Sequence, residues 1–122
     1  MSFSFAGIDH VQLAAPPGGE AEARRFYADI LGWAELPKPA PLRQRGGVWF
    51  QCGEHQVHIG IEKEFRPSVK AHPAFRVRRL ELLRERLERH GIEAIDDDAR
   101  ADEGISRFYI RDPFGNRLEF ME

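Results

Sequence analysis

Arg107-Phe108-Tyr109-Ile110-Arg111-Asp112-Pro113-Phe114-Gly115-Asn116-Arg117-Leu118-Glu119 reads as strand, turn, strand. Asp112, Pro113, Gly115 and Asn116 are turn formers: the acid and amide hydrogen-bond nearby backbone, proline presets φ, and glycine tolerates positive φ. Strand residues run from Ser106 to Ile110 before this turn and from Arg117 to Met121 after it. Side chains alternate between the faces of a strand. Leu118 and Phe120 therefore oppose Arg117, Glu119 and Met121. The apolar face needs a cover, and the pattern upstream supplies one.

Upstream of the hairpin, Leu80, Leu83 and Leu87 form a helical stripe with Leu82 on its flank, closed by Gly91. His72-Pro73-Ala74-Phe75-Arg76-Val77 precedes the helix as a strand, with Phe75 and Val77 opposing His72, Ala74 and Arg76. The first half repeats this order. Ile8 to Ala14 alternates as a strand, and Ala23, Phe26, Tyr27, Ile30 and Leu31 mark a helix ending at Gly32. Glu20 and Glu22 lie in its first turn, where the helix dipole favours acids. Pro37 to Gly47 reads as an extended loop. Val48–Cys52 and Gln56–Ile61 follow as a hairpin about Gly53-Glu54-His55. His10 to His58 is 48 positions, and His72 to Glu119 is 47. The chain thus reads as a single domain over 1–122, built from two βαβββ-like halves at about 1–65 and 66–122. The fold class is α+β.

With 18 Lys and Arg against 20 Asp and Glu, the formal charge of −2 lacks the basic footprint of a nucleic-acid binder. No run approaches the ~20 apolar residues of a membrane helix. Cys52 is the only cysteine, so no intrachain disulfide forms. One thiol and no signal-like start make the cytoplasm the expected compartment.

The strand phases carry the chemistry. Val11 and Leu13 oppose His10 and Gln12, while Val57, Ile59 and Ile61 oppose Gln56 and His58. One face is apolar and takes the helices. The other bears His10, His58, His72 and Glu119, with Gln12, Trp49, Gln56, Arg76 and Tyr109 as substrate-facing candidates. Two readings stand side by side. Antiparallel sheets often have one wet face, which asks nothing more of these side chains. Alternatively, three imidazoles and a carboxylate at matching positions hold one divalent ion, for which Zn, Ni, Co, Mn and Fe(II) all suit the donors. Arg43 and Arg45, beside the proline-rich loop, are either solvated charges or contacts for an anionic substrate.

Gly7-Ile8-Asp9-His10-Val11, Arg25-Phe26-Tyr27-Ala28-Asp29-Ile30-Leu31-Gly32 and the 107–119 hairpin resemble the vicinal-oxygen-chelate superfamily. That superfamily includes glyoxalase I, bleomycin-resistance proteins, extradiol dioxygenases, fosfomycin-resistance enzymes and methylmalonyl-CoA epimerase. The resemblance implies paired βαβββ modules curling into a half-barrel with the helices outside, commonly in a homodimer. It implies His10, His72 and Glu119 as metal ligands. His58 stands where glyoxalase I has an acidic ligand, and is either a fourth ligand or an acid/base; Glu119 shares the acid/base assignment. Gln12 replaces the threonine of the fosfomycin enzymes. The expected function is metal-dependent lyase or isomerase chemistry on a small oxygen-chelating substrate, through an enolate or oxyanion. The alternatives are a drug-sequestering protein of the bleomycin-resistance type and an extradiol-type dioxygenase.

Overall fold

A computed structural model describes residues 2–122. The fold is α+β, with two mixed sheets of four strands each. In the first half, β1 (His10–Ala15) leads through α1 (Glu20–Ala23) to β2 (Ala34–Leu36), β3 (Val48–Cys52) and β4 (His55–Ile61). The second half has β5 (Ala74–Arg76), α2 (Leu80–Arg89), β6 (Ile95–Asp96), β7 (Arg107–Arg111) and β8 (Arg117–Met121). The strand orders are β1-β4-β3-β2 and β5-β8-β7-β6, so the second sheet repeats the first. In each, the first strand runs parallel to the last and the other pairings are antiparallel.

Three local departures from the sequence pattern have physical causes. After one α turn, the first helix continues as a π-helix over Arg24–Ile30, where Leu31 N–H reaches back to the Phe26 carbonyl at 3.0 Å. The wider turn buries both Phe26 and Tyr27. The expected extended loop instead contains a 3₁₀ turn at Ala40–Arg45, with proline in its first turn, where no intrahelical N–H is required. β2 and β6 are short edge strands that carry too few residues for an alternating pattern.

The apolar faces of both sheets meet the helices in one core. Tyr27 packs on Phe50, and Phe26, Val57, Ile59, Leu87, Phe108, Leu118 and Phe120 are buried with them. Each such side chain contributes roughly 1.5–3 kcal/mol on leaving water. A polar knot fastens the halves inside this core. Asp112 accepts hydrogen bonds from the Tyr27 hydroxyl and the Asn116 amide, and Asn116 Nδ2 also donates to the Ala14 carbonyl at 2.8 Å. At the other end, the Glu122 carboxylate accepts the Arg79 and Leu80 N–H groups, both at 2.9 Å, and so caps α2. Arg79 adopts φ 62° there, the one non-glycine residue with positive φ among the described residues.

Candidate metal centre

β4 places His58 between two neighbours on the polar face of its sheet. Trp49 lies directly opposite on β3, and Gln12 opposite on β1. His10 faces Gln56 and reaches His58 diagonally. The three rings stack: Trp49 to His58 at 3.8 Å and 3°, His58 to His10 at 4.1 Å and 16°. The Gln12 amide lies across Gly60, where a Cβ would collide with its Nε2.

The hydrogen bonds assign a free nitrogen to each ring. His58 Nε2–H donates to Gln56 Oε1 at 2.9 Å, leaving Nδ1 as an acceptor. His10 Nδ1–H donates to Asp9 Oδ2 at 2.9 Å, leaving Nε2 free. A carboxylate behind a histidine is the usual means of orienting a metal-binding imidazole. Burial pushes the His58 pKa below its ordinary value, with the nearby His10 acting in the same direction and Asp9 opposing. His58 is therefore neutral at neutral pH, with its lone pair available.

The second half builds a complementary pair. His72 lies just before β5, and its Nδ1–H donates to the Lys70 carbonyl at 2.9 Å. Its Nε2 sits 2.9 Å from Glu119 Oε1. Once Nδ1 carries the proton, Nε2 of a neutral ring and an ionised carboxylate are both acceptors. They can approach this closely only with a cation, a proton or a metal, shared between them. For bonds of about 2.1 Å to a metal, a 2.9 Å ligand separation subtends roughly 90°, within the ordinary coordination range. The donors thus fit a divalent ion.

Glu119 is 4% exposed. Its Oε2 accepts from Arg107 Nη1 at 3.4 Å, and Arg107 Nη2 donates to Asp97 at 3.0 Å. Arg107 Nε is buried without a partner. Tyr109, opposite Glu119 in the β7–β8 ladder, meets His72 edge-on at 5.2 Å, and the Arg117 guanidinium lies 4.0 Å over its ring. Desolvation, aided by the Glu119 charge, raises the Tyr109 pKa, so its hydroxyl is a donor at neutral pH. Arg76 is exposed at the end of β5, beside Met121 and away from this pair.

The expected residues therefore form two half-sites: His10 with His58, and His72 with Glu119. Among the described residues, no three His, Cys, Asp or Glu side chains are gathered so as to hold a metal ion within one chain. Arg107 and Asp97 were not singled out by the sequence. Arg107 shares its strand phase with Tyr109, a signal that was available, whereas Asp97 lies in a polar loop whose position only the fold decides.

A family model described as "Glyoxalase/Bleomycin resistance protein/Dioxygenase superfamily" matches residues 7–120. The chain belongs to this superfamily. Among solved structures, it is 53% identical to a protein of Bacillus anthracis assigned to the glyoxalase family, covering 100% of this chain and 98% of that one with a TM-score of 0.95. The superfamily fold also aligns with the fosfomycin resistance protein FosX of Listeria monocytogenes at 16% identity and TM-score 0.77, covering 97% and 93% of the two chains. Lactoylglutathione lyase of Agrobacterium tumefaciens aligns at 22% identity and TM-score 0.70, covering 96% and 93%. The last two likenesses concern the fold alone. A comparison with curated proteins gave no match. No described helix is long and apolar enough to cross a membrane.

Proposed function

We propose that the protein is a divalent-metal enzyme of the glyoxalase I kind, a lyase or isomerase acting on a small substrate that chelates through two oxygens. The reading rests on the His72–Glu119 pair, an imidazole nitrogen and a carboxylate oxygen facing each other at 2.9 Å, between which a metal can take the place of a shared proton. His10 supplies the third ligand from a second copy of the chain, because neither half-site of one chain gathers three donors. The bound ion would act as a Lewis acid that stabilises negative charge on substrate oxygen.

The remaining work falls to the side chains. Neutral His58, with Nδ1 unprotonated, accepts a substrate proton, or serves as the fourth ligand. Glu119 would be both a ligand of the ion and a carboxylate able to exchange a proton with the substrate. Tyr109 donates a hydrogen bond toward developing oxyanion charge. Arg107 holds the second oxygen of Glu119 and so fixes which oxygen faces His72.

Metal content after purification without chelator tests this proposal. Wild type should carry metal, and His10→Ala and His72→Ala should each lose it. Mixing the two variants should restore part of the content, because one mixed dimer regains one intact centre. Wild-type metal content in both single variants would overturn the reading. Hemithioacetal, catechol and epimerisable thioester substrates then separate lyase, oxygenase and epimerase activity.

A second reading draws on the Trp49–His58–His10 stack, which walls a cavity able to hold a small compound without chemistry. Ligand binding that survives full metal removal, without turnover of any of these substrates, would select it.

A further inference from the structure

The cavity above the histidine stack, about 440 Å³, has an unbalanced charge. The segment between β2 and β3 folds over it and contributes Lys38, Leu42 and Arg45 to its wall, opposite His10, Trp49 and His58. Its one lining acid is Asp9, whose carboxylate is taken by His10. Glu20 lies behind the segment with its carboxylate accepting the Gly47 N–H at 3.1 Å, and it remains within reach of the Lys38 charge. Lys38 Nζ donates to the Gly46 carbonyl, which uses one of its three donors. Arg45 forms no ion pair or side-chain hydrogen bond among the described residues. Leu42, Ile59 and Ile61 give the wall an apolar part, and the Gln12 and Gln56 amides line it beside the histidines.

We infer that this cavity receives a small organic anion, with its carboxylate or phosphate held between Lys38 and Arg45 and its apolar body against Leu42 and Ile61. The geometry selects for an anion because two cations with spare donors face a pocket whose only acid is already bonded. A guanidinium offers a planar fork and an ammonium a point charge, and both match carboxylate or phosphate oxygens. Arg45 closes the 3₁₀ turn, and the bond from Arg43 Nε to the Lys38 carbonyl at 3.2 Å ties Lys38 to that turn. The inference deepens the proposed function by naming the substrate class. It rests on that reading only for the destination of the substrate's chelating end, beside His10.

The test uses chelator-treated, metal-free protein, so that its outcome is separate from that of the metal centre. Inorganic phosphate and acetate are titrated at constant ionic strength while the indole N–H resonance of Trp49 is followed by NMR. Both anions should give saturable shifts, the phosphate dianion binding more tightly. Lys38→Gln and Arg45→Gln should each raise Kd by about tenfold, the loss of one charge-assisted hydrogen bond. Arg89→Gln, which removes the same charge from α2, should leave Kd unchanged. Thermal melting of each variant checks that it is folded. If neither anion shifts Trp49, or if Lys38→Gln, Arg45→Gln and Arg89→Gln behave alike, the inference fails, whatever the metal content of the wild type. Saturation by one probe alone identifies which head group the cavity prefers and sustains the inference.

Discussion

The Tyr27 hydroxyl donates a 2.6 Å hydrogen bond to Asp112 Oδ2 across 85 residues of chain, with both groups buried. It joins the first helix to the turn that precedes β8, and so to the strand that carries Glu119. Asp112 also receives the Phe114 and Asn116 N–H groups at 2.9 and 2.8 Å. Burial nonetheless raises its pKa against these bonds.

Tyr27→Phe removes one donor from a carboxylate that stays buried, and should destabilise the protein by about 1–3 kcal/mol. The pH dependence has a definite sign. The Tyr27 pKa is raised well above its ordinary value, chiefly by desolvation and then by the Asp112 charge. The unfolded chain therefore ionises this phenol first, and its stabilising contribution, complete below about pH 10, declines as pH rises further. Melting temperature between pH 8 and 11 should fall more steeply in wild type than in Tyr27→Phe. Parallel curves would contradict the assignment.

His58 carries the opposite shift for a base. Its folded pKa lies below its unfolded value, so the unfolded state takes up the proton first and stability is lost as pH falls below about 6.5. His58→Gln should flatten that part of the acid melting profile. It should also raise the exposure of Trp49, whose ring lies on His58, which the emission maximum would report.

Gly47 sits at φ +91°, and a Cβ there would meet the Ile59 carbonyl oxygen of β4. Gly47→Ala should cost about 1–3 kcal/mol from backbone strain, and more if the contact is not relieved. Because Gly47 immediately precedes β3, the anion affinity of the Lys38–Arg45 pair should fall with it. Equal stability of Gly47→Ala and wild type in denaturant would refute the strain argument.

Metal should stabilise the folded protein by mass action. At a free concentration one hundred times Kd the gain is about 2.7 kcal/mol. Differential scanning calorimetry with added divalent ion should raise the melting temperature of wild type but not of Glu119→Gln, which loses the anionic ligand. A similar rise in both would remove Glu119 from the ligand set.

Much of this was legible because strand alternation is a strong signal. The phases of Ile8–Ala14, Gln56–Ile61 and Arg117–Met121 assigned the polar face correctly, and the 48- and 47-residue spacings marked two equivalent modules. The register then aligns Trp49 with His58 and Tyr109 with Glu119, one aromatic beside one proposed ligand in each sheet. The π turn was not legible, since an α stripe and a π stripe over seven residues bury nearly the same side chains. The 3₁₀ turn was hidden by prolines, which exclude a helix interior but not its first turn. The separation of His10 and His72 into two half-sites of one chain depends on how the two modules lie relative to each other. That is decided by buried bonds such as Tyr27–Asp112 and Asn116–Ala14, between residues far apart in sequence.

The same knot has a kinetic corollary. With the helix of one module bonded to the turn of the other, the two half-sites cannot hinge together inside a lone molecule. If the centre is shared between copies, specific activity should decline on dilution, and protein held far below the dimer's dissociation constant should be inert however well folded it is.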